Sequence, residues 1–124
     1  MTAMLDFKDV ELYYDHVYAL KGVSLSVNQG ETVALIGANG AGKSSILRTI
    51  TGLATPKTGS VTFEGSRVDG TDPSSIVRRG IAMVPEGRRV FPFMSVKDNL
   101  MMGAFTREDK ADIQNTLESI LTRF

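Results

Sequence analysis

Cysteine is absent from this chain of 124 residues, so no disulfide can staple it and the fold must rest on packed apolar surface. The absence also fits a reducing compartment. Net charge is absent as well, because 14 Lys and Arg offset 14 Asp and Glu. Binding nucleic acid by phosphate neutralisation needs a basic excess, so neutrality argues against nucleic acid as a partner. No apolar run approaches the roughly 20 residues of a membrane-spanning helix. Met1-Thr2-Ala3-Met4-Leu5-Asp6 carries no basic region followed by an apolar core, so no secretory signal is expected there. Internal repeats and low-complexity segments are lacking too. The expectation is a chain of one-domain length in the cytoplasm, reaching any membrane only through a partner.

Glycine, in contrast, is concentrated where it carries chemistry. Gly37-Ala38-Asn39-Gly40-Ala41-Gly42-Lys43-Ser44 fits G-x-x-x-x-G-K-[ST], the loop that cradles nucleoside triphosphate phosphates. At ordinary residue frequencies such a pattern arises by chance in roughly one chain per few hundred of this length. The flanks narrow the odds. Thr32 to Ile36 is a continuous apolar run that reads as a buried strand. Ser45 to Ile50 reads as a helix with a stripe of Ile46, Leu47 and Ile50. Between a strand and a helix, successive loop N–H groups form an anion nest at the positive end of the helix. Lys43 has the length to reach the β- and γ-phosphates, and Ser44 offers a small hydroxyl to Mg²⁺.

Further elements follow from local signals. Leu5 to Tyr14 alternates loosely and reads as a strand, and Val23 to Val27 alternates strictly. Ser60 to Gly65 is another short strand, and Ile81 to Val84 reads as a buried strand stopped by Pro85. Asp72 before Pro73 makes an N-cap and first-turn pair, with Gly80 ending that helix. Ser95 to Asp98 resembles a capping box opening a helix toward Met102. Thr106 and Asp109 open a last helix, with Ile113, Leu117, Ile120 and Leu121 on one face.

The ordered set resembles the ATP-binding subunit of ABC transporters over almost the whole chain. The resemblance rests on Gly37 to Ser44, on Tyr14 upstream, on Leu20-Lys21-Gly22-Val23-Ser24-Leu25, and on Thr51-Gly52-Leu53 leading to Thr58-Gly59-Ser60-Val61. Val84 to Pro92 looks more narrowly like the branched-chain amino acid importer branch. The resemblance implies an α/β P-loop NTPase fold of the ABC nucleotide-binding type. Residues 4–94 would hold an antiparallel β region and the phosphate-loop core, and residues 95–124 would begin a helical subdomain.

The same resemblance implies ATP and Mg²⁺ as cofactors. Tyr14 would stack on adenine, Gly37 to Ser45 would hold phosphates, and Ser44 and Glu86 would face the metal. Lys43 and Glu86 would be the catalytic pair. Partners would be integral membrane permease subunits and a second ATP-binding subunit, at the inner face of the cell membrane. Glu86 stands where the family usually has glutamine, although the importer branch commonly carries glutamate. Read by itself, Glu86 is an ordinary surface carboxylate. Arg88, Arg89, Phe91, Pro92 and Phe93 are either solvated or a docking surface, Met101 and Met102 read as helix packing, and His16 reads as a solvated turn residue. No Leu-Ser-Gly-Gly-Gln-like signature, no apolar strand ending in Asp-Glu and no downstream switch histidine is found. The expectation is therefore the front half of such a domain, inactive by itself. Two other readings stay open: a soluble ABC ATPase without a membrane partner, and a nucleotide-binding module without turnover.

Overall fold

The structure, a computed structural model, describes residues 3–38, 42–87 and 89–124. The chain divides into two units, Met1–Met83 and Val84–Phe124. In the first unit, β1 (Leu5–Tyr14), β2 (Val17–Val27), β3 (Thr58–Phe63) and β4 (Ser66–Arg67) form one antiparallel sheet in the order β2-β1-β3-β4. The β2 strand is longer than its alternating Val23 to Val27 half, and β3 begins at Thr58 and turns at Glu64-Gly65 into β4.

The loose alternation of β1 has a structural cause. Phe7, Val10 and Leu12 are all buried, a spacing that a regular strand cannot put on one face. Between Phe7↔Leu25 and Val10↔Val23, two β1 residues oppose the single Ser24 of β2. This bulge at Lys8-Asp9 holds Asp9 at φ 49, and it returns the even-numbered residues to the core face. The Ser24 hydroxyl fills the gap, accepting the Asp9 N–H at 2.9 Å and donating to the Asp9 carboxylate at 3.2 Å. On the other side Gly59 of β3 passes so close that a Cβ would lie 2.6 Å from the Asp9 carbonyl carbon. Glycine is required there twice over, because its φ is +90.

Helix α1 (Lys43–Ile50) packs its apolar side into a core of Phe7, Val10, Leu12, Leu20, Val61, Phe63, Val68 and Ile76. Burying Ile46 and Ile50 contributes roughly 1.5–3 kcal/mol each. The expected stripe is off by one position: Leu47 is 44% exposed and Thr49 is buried instead. Thr49 tolerates burial because its hydroxyl donates to the Ser45 carbonyl at 2.7 Å. Helix α2 (Pro73–Arg78) starts as its sequence signals, with the Asp72 carboxylate accepting the Ser75 N–H at 3.0 Å. Arg79 then donates to the carbonyls of Phe63 (3.0 Å) and Arg67 (3.2 Å), tying the end of α2 to the β3–β4 turn. Asp69 braces the same hairpin, accepting from both Arg67 (2.6 Å) and the Val61 N–H (2.9 Å).

Two expected strands do not form. Residues 32–36 and 81–84 have no strand pairing in the described structure. Both runs are apolar enough for buried strands, but a strand exists only through a ladder, and neither finds a partner among the described residues. Ile36 is accordingly 95% exposed and Val84 94% exposed.

The second unit contains α3 (Val96–Met102) and α4 (Lys110–Arg123). Ser95 caps α3 by accepting the Asp98 N–H at 3.0 Å, and Asp109 caps α4 by accepting from Ala111 (3.0 Å) and Asp112 (3.2 Å). Leu117 is the buried residue of α4, with Ile113 and Ile120 half-buried beside it, while Leu121 turns outward. No helix among the described residues is long and apolar enough to cross a membrane.

Replacing Gly59 with alanine is expected to destabilise the first unit by more than about 2 kcal/mol, through left-handed strain and collision with Asp9. Gly65 has an open environment at φ +83, so Gly65→Ala carries the strain alone, about 1 kcal/mol. Urea unfolding of the two variants reads the difference, and equal losses would remove the close approach from the account.

Acid sensitivity is the second expectation. The Arg67 hydrogen bond, aided by the Val61 N–H and opposed by partial burial, holds the Asp69 carboxyl below its ordinary 3.8. The Ser74 hydroxyl and the Ser75 amide lower Asp72 in the same direction. A lowered folded-state value means that ionisation favours the fold. The stabilisation is complete above the ordinary value and drains as pH falls below it, through the lower folded value. Stability should therefore fall below about pH 4. Asp69→Asn should flatten that fall, leaving the Asp72 part, in thermal melts taken across the acid range.

Candidate functional site

The glycine-lysine loop leads into α1, and the helix start is set by packing. Gly42 is the N-cap residue at φ 102, and no side chain caps the helix there. A Cβ on Gly42 would sit 2.9 Å from the Leu20 Cδ2 in the core face of β2. The last loop glycine thus lets the backbone lie directly on the sheet. Uncapped first-turn N–H groups are what an anion site requires. The Lys43 ammonium folds back and donates to the Gly37 carbonyl, which brings the two ends of the motif together. Ser44 and Ser45 follow on the first turn of α1. Gly37 and Ala38 are exposed, and Asn39, Gly40 and Ala41 lie outside the described residues.

Of the adjacent tyrosines in β1, the bulge at Asp9 aims Tyr14 toward this helix, since Val10, Leu12 and Tyr14 follow each other at a spacing of two. The Tyr14 hydroxyl donates to the Ser45 Oγ at 3.2 Å. Tyr13 faces the other way. Its ring stacks on Tyr18 with centroids 4.5 Å apart and planes 2° apart, and the Lys57 ammonium lies 4.8 Å above it. Partial burial first, and then Glu11, raise the Tyr18 phenol above its ordinary 10.0. One tyrosine therefore belongs to the loop and its neighbour to the outer sheet face.

This geometry meets the comparisons with known proteins. The sequence pattern of the ABC transporter family matches residues 20–124. The chain belongs to the ABC transporter family. It is 47% identical over 121 residues to the high-affinity branched-chain amino acid transport ATP-binding protein BraG of Pseudomonas aeruginosa, covering 98% of this chain and 52% of that protein. It is 46% identical over 105 residues to the sn-glycerol-3-phosphate import ATP-binding protein UgpC of Vibrio cholerae, covering 84% of this chain and 27% of that protein. Among solved structures, an ATP-binding subunit of an ABC transporter superposes with a TM-score of 0.78 at 32% identity, over 88% of this chain and 45% of that one. The chain thus spans about half the length, or less, of the curated relatives it matches.

Other expected ABC site residues fall in the second unit. Glu86 is exposed, and its carbonyl accepts from the Arg89 Nε at 3.3 Å. Arg88 lies outside the described residues. Beyond it, sequence reading missed one organising side chain. Asn99 of α3 accepts the Phe91 N–H at 2.8 Å and donates to the carbonyls of Phe91 (3.1 Å) and Ser95 (2.9 Å). Phe93 protrudes fully from the loop that Asn99 holds. The missed residue of the first unit is Thr49, whose grip on Ser45 no motif announces. Among the described residues, no group of three or more His, Asp or Glu could hold a metal by itself.

Removing the Tyr13 ring should cost about 1 kcal/mol of stability through its stack and its lysine. Tyr14→Ala should cost less, because Tyr14 has one exposed hydrogen bond. Parallel denaturant melts compare them, and a larger loss at Tyr14 would contradict the division of roles.

Proposed function

We propose that this chain is the ATP-binding portion of the energy-coupling subunit of an ABC importer, serving branched-chain or related amino acids. The observation that carries the reading is the complete loop Gly37 to Ser44, ending in an uncapped helix pinned to the sheet. In this reading the first-turn amides of α1 and Lys43 hold the β- and γ-phosphates. Lys43 exchanges the neutral Gly37 carbonyl for a charged acceptor, which is the stronger partner. The Tyr14 ring, partly exposed beside the loop, offers its face to adenine.

The donor set suits Mg²⁺. That ion keeps waters and takes one or two protein oxygens alongside substrate phosphates, so the Ser44 hydroxyl on the first turn of α1 is the kind of ligand it uses. Bound with the triphosphate, Mg²⁺ would neutralise charge on the phosphate oxygens. Glu86, near the start of the second unit, is proposed as the acidic residue that passes the nucleotide state to a helical subdomain beginning near residue 95. The loop held by Asn99, with Phe93 exposed, is the surface proposed to meet permease subunits. A second ATP-binding subunit would complete each site, at the inner face of the membrane. Amino acids are favoured over other solutes because the likeness to BraG runs through 98% of the chain, against 84% for UgpC. The likeness to UgpC, at 46% identity, favours a second reading, import of a phosphorylated polyol or sugar.

Lys43→Ala should lower ATP affinity by a charge-assisted contact, on the order of 1.5–3 kcal/mol, and Tyr14→Ala by about 1 kcal/mol. Calorimetric titration of Mg²⁺-ATP measures both, and affinities equal to wild type would end the assignment. The chain by itself should release phosphate no faster than the Lys43→Ala variant. In cells, Lys43→Ala in the chromosomal gene should abolish uptake of labelled leucine and spare labelled glycerol-3-phosphate; the reverse pattern would select the second reading.

A further inference from the structure

We infer that Tyr14 is a positioning residue for the phosphate loop, acting through its hydroxyl on Ser45, and not only a flat surface for a base. The inference deepens the ATP-binding reading and rests on it for its functional consequence. Ser45 is held at two points. Its carbonyl accepts the buried Thr49 hydroxyl at 2.7 Å, and its hydroxyl accepts the Tyr14 phenol at 3.2 Å. The next residue, Ile46, is sunk in the core, and its N–H donates to the Gly42 carbonyl at 3.0 Å. The first turn of α1 therefore has an inner anchor in Ile46 and Thr49, and an outer anchor in Tyr14. The outer anchor comes from a different element, β1, 31 residues away in sequence.

The consequence is a link between two ends of one ligand. A base resting on the Tyr14 ring would restrict that ring, and through the phenol it would restrict the turn whose amides and hydroxyls face phosphate. Conversely, a phosphate-ordered turn would preset the ring. Phenylalanine at position 14 would keep the aromatic face and lose this link. The hydroxyl should therefore matter even for a ligand with no base at all.

The test compares Mg²⁺-ATP with inorganic tripolyphosphate, titrated by calorimetry into the whole chain as wild type, Tyr14→Phe, Ser45→Ala and the double variant. Tyr14→Phe should weaken both ligands by the same factor, about two- to tenfold, the range of one hydrogen bond. The double variant should bind no more weakly than the weaker single variant, because both remove the same bond. Weakening confined to ATP, or losses that multiply in the double variant, would overturn the inference. Amide hydrogen exchange without ligand supplies an independent arm. Tyr14→Phe should speed exchange at Ile46 and Leu47 and leave the sheet amides unchanged; unchanged exchange in α1 would overturn the tether. If Lys43→Ala binds ATP as wild type does, the nucleotide reading fails, and the exchange arm still decides the tether.

Discussion

The bulge at Asp9 decides which of two adjacent tyrosines faces the phosphate-loop helix. Without the extra residue, the odd-numbered positions of β1 would continue on the core face, and Tyr13 would point where Tyr14 does. Two neighbours hold the bulge in place: Ser24 bonds its free N–H, and Gly59 makes room for its carbonyl. A left-handed Asp9 is a small local cost, of the order of 1–2 kcal/mol. It is offset by keeping Phe7, Val10 and Leu12 buried together.

The same economy governs the loop. Gly42 would be needed for close approach to an anion, but its packing on Leu20 already requires a residue without a Cβ. Helix α1 is short, so its position depends on what it buries. Ile46, Thr49 and Ile50 fasten it to the sheet, and that contact places Ser45 beside Tyr14. The chemistry of the site is thus a consequence of how one short helix lies on one antiparallel sheet.

Signals confined to a few residues were legible in the sequence. Asp72, Ser95 and Asp109 cap the helices as their positions indicate, and the extent of β1 follows from its composition. The glycine-lysine pattern stands complete in the sequence, and the resemblance to ABC transporters singled out Tyr14, which in the fold bonds to Ser45 just after that pattern. Features that need a partner were not. The bulge depends on Ser24 and Gly59, far apart in the chain. The apolar runs at 32–36 and 81–84 have the composition of strands without a ladder to join. Leu47 and Thr49 exchanged their expected places because a hydroxyl that returns to its own helix can be buried cheaply. Asn99 carries no motif, since its partners are backbone groups of Phe91, Met94 and Ser95 brought close only by the turn before α3.

The central claim is that the bulge-directed Tyr14 and the start of α1 form one ligand-binding surface, while Tyr13 and Tyr18 belong to the opposite face. An amide chemical-shift map of the 124-residue chain, titrated with Mg²⁺-ATP, tests it most directly. The account predicts saturable shifts centred on Gly42, Lys43, Ser44, Ser45 and Tyr14, with Tyr18 and Lys57 unmoved. Shifts centred on Tyr13, Tyr18 and Lys57, with the start of α1 unmoved, would contradict it.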